Sequence, residues 1–564
     1  MASRNPGNHI CVVGAGTFGL NAAKNLLEQG LEVTIFERWA YMGGNWHPSA
    51  NPDQVAALEM TTKNTSKQVS SFTDFPYPDS AKTHPTAAQV QEYLDLYAKK
   101  FDLHPHIKYN TQVVAVERDE PANKWTVTTR DPSQGADSPT TAHSFDRVVV
   151  VTGMLNLPNM PKFKGSELFT GSLIHSRQFR DASQYKGKNV ILVGIGASAV
   201  DIQSFLVSAG ANKVYLSHRG SFVVLPRTVK GKAFDHDINF RLGMIIRRLA
   251  SWAPVTLSNL FTMALRSLTL KSFPVLKNSP AFAKGRKLMG VPHRVPMFDN
   301  NLAKNMASGK VTSVQGIDSF VGPKSVRLTD GTVLDDIDAV VVASGYHYDF
   351  SLIKGSANPT DPSMAPDGFT RLRKGKYAEP DETFPRLYHG FISEQYSESL
   401  AFIGTMLFIK PPFVVVDLEN MALSVLWAGG WPVPTKEEMR RDIDKQYDYV
   451  VRSIDRGPIP HPGFRWKLAR DTHNWLNDVA GTGVTQRLGC WGAEGWKFWW
   501  QDRKFYSLVM GGLDTPYVYR LFNTGRGRKA WPGARKAIEK VNEDVKKMAE
   551  DWKKEEQAKK DKKV

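Results

Sequence analysis

Short apolar runs alternate with segments of helical period along the first three quarters of the chain, the pattern of buried parallel strands joined by helices. Residues 10–13 form one such run. Residues 21–29 carry a helical pattern that stops at Gly30, and residues 32–36 form a second strand. Residues 86–101 place Val90, Tyr93, Leu94, Leu96 and Tyr97 near helical spacing and predict a helix. Residues 107–117 and 125–129 read as strands, and 131–144 as a polar loop. The run 148–152 reads as the strand that closes a first sheet, and a Pro-rich run at 157–161 marks a boundary.

The same grammar then repeats: a strand at 189–193, a helix over 201–209 and a strand at 214–217. Residues 240–289 are apolar and basic, with almost no acid. A basic amphipathic helix of this kind can lie in a membrane interface; packing on its own domain is the expected alternative. Residues 309–338 read as short strands and hairpins with a turn at Asp330-Gly331. The run 339–346 reads as a return to the first sheet, and 400–405 as another strand. Helices are predicted over 416–427, with Asp417 near the N-terminal end, and over 436–454. The aromatic-rich 491–500 reads as core, and 537–564 as a solvated charged helix. The expected fold is α/β, with two Rossmann-type dinucleotide-binding domains. Residues 1–158 and 336–430 make the first, 159–335 (helical insert about 235–292) the second, and 431–564 a helical C-terminal region.

At 564 residues, with 41% hydrophobic and 23% charged positions, the chain suits a multidomain globular protein. The net charge of +17 fits anionic ligands or an anionic membrane surface. No nucleic-acid-binding signature accompanies it, so nucleic acid is not an expected partner. The two cysteines, Cys11 and Cys490, do not form a C-x-x-C, and Cys11 lies in the buried first strand, which favours a reducing compartment. Residues 1–8 are polar and short, unlike a signal peptide. No apolar stretch reaches the about 20 residues a spanning helix needs. The expected location is cytoplasmic, or peripheral on a membrane, and not secreted.

Two glycine motifs carry the chemistry. In the first, Gly14-Ala15-Gly16-Thr17-Phe18-Gly19 follows a strand and opens a helix, and the next strand ends on Glu37. Gly14 suits the tight turn, Gly16 the close approach of a pyrophosphate, and Gly19 the helix lying close on the strand. Glu37 is placed to accept from a ribose diol. In the second, Gly194-Ile195-Gly196-Ala197-Ser198-Ala199 is followed by Asp201, and the next strand ends on Ser217-His218-Arg219, with Arg227 further on. An arginine in place of the acid accommodates a 2′-phosphate, so this site should prefer NADP(H). Ser198 heads the helix and can cap it, bind pyrophosphate, or do both. No metal site is expected.

With Gly43-Gly44-Asn45-Trp46, Lys63-Asn64-Thr65-Ser66-Lys67 and Asp74-Phe75-Pro76, these motifs resemble the flavin-containing monooxygenases, dimethylaniline-monooxygenase-like class B flavoproteins. The resemblance extends through 169–179, which is similar to the family's F-x-G-x-x-x-H-x-x-x-Y. It continues through Ala343-Ser344-Gly345-Tyr346, 515–520 and 531–535. It implies FAD at Gly14, Ala15, Gly16, Thr17, Phe18, Gly19, Glu37, Gly44, Asn45, Trp46, Lys63, Asn64, Thr65, Gly153, Gly345 and Asp417, with Asn64 beside NADP⁺ as well. It implies NADPH at Gly194, Gly196, Ser198, Ala199, Asp201, Ser217 and Arg219. It further implies a C4a-hydroperoxyflavin that oxygenates a soft nucleophile, an amine nitrogen or a thioether sulfur, using O₂ while water is kept out. By the same resemblance Asn64 is the catalytic residue that helps hold that intermediate. His175 has two readings, backbone satisfaction or cofactor contact. A homodimer is left open.

Three departures bear on function. Phe179 stands where the family has Tyr and its Baeyer–Villiger relatives have Trp, so the linker leaves ketone oxidation as a rival to N- or S-oxygenation. Ser344 replaces the usual Thr, and the charged C-terminus lacks the hydrophobic anchor of the animal members. A flavin disulfide reductase lacks support because there is no redox dithiol. A non-catalytic Rossmann scaffold is the rival from another class, and it predicts a colourless protein.

Overall fold

A computed structural model describes residues 8–283, 293, 296–405, 410–458, 469–489 and 492–562. The chain opens with β1 (His9–Val13), α1 (Thr17–Glu28) and β2 (Glu32–Phe36). Strand β1 pairs in parallel with β2 on one side and with β4 (Arg147–Val150) on the other. Residues 10–12 are fully buried, which is why they form an unbroken apolar run. The helix Ala87–Lys100 starts on Thr86, whose hydroxyl and Gln89 form a reciprocal capping box. The predicted strand 107–117 is two strands. Asn110 takes a left-handed conformation (φ 51°) that turns the chain, so β3 (Ile107–Lys108) joins β2 while Gln112–Asp119 starts a separate antiparallel sheet. The predicted polar loop contains Thr140–Phe145, the third strand of that sheet, paired across Lys124–Arg130.

A second parallel sheet follows. Its strands are β5 (Ser172–His175), β6 (Asn189–Val193), β7 (Lys213–Ser217), β8 (Val311–Val314) and β9 (Ala339–Val342), in spatial order β8-β7-β6-β9-β5. Helix α2 (Ala197–Ser208) connects β6 to β7. Strand β9 corrects the expectation that 339–346 returns to the first sheet. All four of its residues are buried and it pairs with β6 and β5, because it completes the second sheet. The return is made by β10 (Leu387–Tyr388), β11 (Ile392–Ser393) and β12 (Leu400–Phe402), giving the order β10-β11-β12-β4-β1-β2-β3. Strand β4 is therefore interior, not a closing edge, as its apolar character on both faces requires.

Between β7 and β8 the insert forms α3 (Phe240–Trp252) and α4 (Pro254–Ser272), two helices rather than one. Helix α5 (Pro412–Trp427) is buried from Phe413 to Trp427 and packs on α1. Lys436–Ile454 is a helix with a Thr435–Glu438 capping box. The core expectation for 491–500 fails in part. Helical spacing sets Trp496 and Trp500 four apart on an outer face, 54% and 79% exposed, while Phe498 packs inward. Cys490 lies outside the described residues. The tail helix Ala534–Asp561 buries Ala534, Ile538 and Val541 and leaves its charged side in water.

Candidate active site

Each glycine turn sits at the end of its sheet. Gly14 is left-handed (φ 109°), and a Cβ at Gly19 would overlap the Gly14 carbonyl oxygen, so α1 lies directly on the turn. Gly16 caps α1 with no side-chain hydrogen bond, leaving the helix-end N–H groups for an anion. Gly43 donates to the Ala15 carbonyl at 3.0 Å, and a Cβ at Gly44 would stand 3.0 Å from Gly16 Cα. The Gly43-Gly44 segment thus packs on the dinucleotide turn. Glu37 is buried. Its Oε2 accepts from Ala15 N at 2.8 Å and its Oε1 from Trp39 N at 3.0 Å, and burial raises its carboxyl despite those bonds. At the second turn Gly194 is left-handed (φ 114°) and would clash with the Ala343 carbonyl if it carried a side chain. Gly196 caps α2. Ser198 is an exposed residue inside the helix and does not cap it.

A cavity of about 2300 Å³ joins the two turns. From the first domain Gly14, Gly16, Thr17, Phe18, Glu37, Gly44, Asn45, Trp46, Lys63, Asn64, Thr65 and Gly153 line it. From the second come Gly194, Gly196, Ser217, Arg219 and Gly345. Arg219 is exposed beyond β7 and packs over Gly316, whereas the Ser217 hydroxyl donates to the Gln315 carbonyl at 2.9 Å. Ala15, Gly19, Ser198, Ala199, Asp201 and Asp417 are not on the cavity wall. For Asp417 this corrects the expected cofactor contact. It lies in the middle of buried α5, where Oδ1 accepts from Asn21 and Asn25 at 3.0 Å each and Oδ2 from Thr73 N at 2.8 Å. Its role is to tie α5 to α1. His175 also resolves to backbone satisfaction: Nδ1 accepts from Arg177 N at 3.1 Å and Nε2 meets the Gly345 carbonyl at 3.1 Å. Phe179 is buried against Tyr185.

The segment around Asn64 is gripped from the second domain. Arg227 Nη2 lies 3.3 Å from Asn64 Oδ1 and 3.3 Å from Asp201 Oδ1. Burial pushes the Asp201 carboxyl up to about 6, with Arg227 opposing the rise. Asp235 Oδ2 accepts from Ser66 N at 2.7 Å, and His236 Nε2 meets Ser66 Oγ at 3.1 Å. His84 bridges the two segments, between the Lys63 and Arg227 carbonyls at 3.2 and 3.3 Å. Lys63 is enclosed: Nζ donates to the Ser70 carbonyl at 2.6 Å and stands 3.4 Å from the Phe413 ring centroid. Burial holds its ammonium well below the usual lysine range, with Asp235 opposing. Asp235, Lys410 and Asp514 are cavity residues that sequence reasoning missed. They lie far apart in sequence with no motif to join them.

The flavin-binding monooxygenase-like family model matches residues 7–362. The monooxygenase aurF of Gibberella zeae is 32% identical over 96% of this chain and 98% of its own length. The flavin-containing monooxygenase 3 of Macaca mulatta is 27% identical over 94% of this chain and 91% of its own. Among solved structures, S-allyl-L-cysteine S-oxygenase from Allium sativum superposes with a TM-score of 0.58 at 20% identity, covering 88% of this chain and 98% of that one. Cyclohexanone monooxygenase from Rhodococcus sp. Phi1, bound to NADP+, gives 0.58 at 18% identity, covering 84% and 97%. With its two Rossmann-type domains and two glycine turns on one cavity, this chain belongs to the flavin-binding monooxygenase family, oxidoreductases that work with FAD and NADPH.

Proposed function

We propose that the protein oxygenates a soft nucleophile, an amine nitrogen or a thioether sulfur, at the expense of NADPH and O₂. The observation that carries this reading is the single cavity joining both glycine turns, with Asn64 on its wall and held by Arg227. The residues fit the cofactors. Gly14, Gly16 and Gly44 leave a groove bare of side chains for FAD, with Glu37 beside it, while Gly194, Gly196 and Arg219 suit NADPH and its 2′-phosphate. Bound there, the cofactors supply the hydride and the activated oxygen. The protein's part is to position and shield. Arginine only donates, so Asn64 presents Oδ1 to Arg227 and keeps its NH₂ free to donate into the cavity. Lys63, Tyr77 and Phe413 close the wall behind it and limit water.

The test is product analysis with three probes: thioanisole, N,N-dimethylaniline and cyclohexanone. A yellow protein that couples NADPH oxidation to sulfoxide or N-oxide supports the reading. Turnover of the ketone alone reassigns the enzyme to Baeyer–Villiger oxidation, and a colourless protein that takes up no FAD removes the reading altogether.

A peripheral seat on an anionic membrane is part of this proposal. Residues 238–298 contain no acid, and α3 and α4 turn Ile245, Leu249, Trp252, Leu260 and Met263 outward, Trp252 with 86% exposure. Among the described residues no helix is long and apolar enough to cross a bilayer. Flotation with phosphatidylserine vesicles, weakened by Trp252→Ser, is the expected result. Equal flotation of both proteins would remove the contact.

A further inference from the structure

Arg247 lies on α3, is 9% exposed and lines the cavity. Its guanidinium makes no hydrogen bond or ion pair with any described residue. The Asp514 carboxylate close by is already engaged: Lys410 Nζ lies 2.8 Å from its Oδ1 and 2.7 Å from its Oδ2. Gly243, one turn earlier on α3, opens the space where these groups meet. A Cβ there would stand 3.2 Å from Asp514 Oδ2 and 3.3 Å from Arg247 Nη1. His473 is close enough to feel Arg247, but burial holds its imidazole well below the usual range, so it adds no charge. Lys410 thus takes the carboxylate beside Arg247, and the guanidinium itself does not pair with it. The surrounding wall, with Leu242, Ile246, Phe261, Leu265 and Met297, is apolar. A buried guanidinium without a counterion is costly, and a planar carboxylate matches its fork with two parallel hydrogen bonds.

We propose that Arg247 anchors a carboxylate on an otherwise apolar substrate, which makes it a specificity-determining residue of this cavity. The assignment rests on reading the cavity as the substrate's. It adds the chemical class: an apolar acid, with the oxidisable atom away from the anionic end.

The test is calorimetric binding to the flavin-loaded protein without NADPH, so that turnover is not needed. The probes are 4-(methylthio)benzoate and its methyl ester. The natural protein should bind the acid about tenfold or more tighter than the ester. Arg247→Met should erase that preference while keeping the flavin, and Arg247→Lys should keep part of it. Asp514→Asn frees Lys410 and should tighten acid binding. No acid preference in the natural protein, or a preference that survives Arg247→Met, overturns the proposal. If Arg247→Met loses its flavin, Asp514→Asn decides: unchanged or weaker acid binding overturns it. A protein that binds the acid through Arg247 but oxygenates no sulfide refutes the proposed function alone. One that oxygenates thioanisole without preferring the acid refutes the anchor alone.

Discussion

Arg227 and Asn64 meet at 3.3 Å across the seam between the two domains, so one guanidinium from the second domain sets the orientation of an amide in the first. The same nitrogen reaches Asp201 on α2 at 3.3 Å, and the pair Arg227–Asp201 is itself only partly exposed. Any shift of the second domain is therefore felt at Asn64.

Asn64→Asp keeps the shape and the Arg227 contact but removes the NH₂ donor. NADPH oxidation should continue while product formed per NADPH falls severalfold and H₂O₂ rises by the same amount. Parallel assay of NADPH, product and peroxide checks this. An unchanged yield removes Asn64 from the oxygen-transfer step.

Arg219→Ala should raise the KM for NADPH by about tenfold or more and leave the KM for NADH nearly unchanged, since only the former carries the 2′-phosphate. Equal effects on both would show that the exposed guanidinium beyond β7 does not read that phosphate.

Arg520 is 1% exposed and donates to Glu28 Oε1 at 2.7 Å, to Asn25 Oδ1 at 2.9 Å and to Thr73 Oγ1 at 3.2 Å. Lys24 pairs with both Glu28 and Asp74 in the same cluster. Arg520→Met should cost roughly 3–5 kcal/mol, because buried carboxylates lose their counterion. Burial would raise the Glu28 carboxyl, but Arg520 and Lys24 hold it down to about 2 from 4.5. A depressed acid stabilises the fold above its unfolded value, so this contribution is complete above 4.5 and is lost as pH falls toward 2. Urea midpoints across that window should fall steeply for the natural protein and less for the variant.

Glu419 is fully buried on α5, and burial pushes its carboxyl up to about 8. Here the sign reverses. Between 4.5 and 8 the unfolded chain is ionised while the folded side chain keeps its proton, so stability falls as pH rises, by at most about 1.4 kcal/mol per pH unit. Glu419→Gln should match the natural protein near pH 4.5 and exceed its thermal midpoint at pH 8. Equal midpoints at pH 8 would show that the carboxyl ionises freely in place.

Much of this molecule can be read from residue order alone. The unit β1–α1–β2, both glycine turns, Glu37 and Arg219 just past the strands that follow them, and the helix Lys436–Ile454 depend on neighbours in sequence, where spacing and backbone geometry decide. What lies between distant segments could not be read. The family resemblance puts Asp417, near the start of a predicted helix, at the cofactor. Its carboxylate turns instead to Asn21, Asn25 and Thr73, some 340 to 400 positions away. Arg227, Arg247, Asp235 and the pair Lys410–Asp514 gain their meaning only when the insert, the second sheet and the C-terminal helices close on one cavity. Local pattern determined where the phosphates can lie. The tertiary fold decided which charges face the space between them, because the direction of a side chain is set by the elements packed around it.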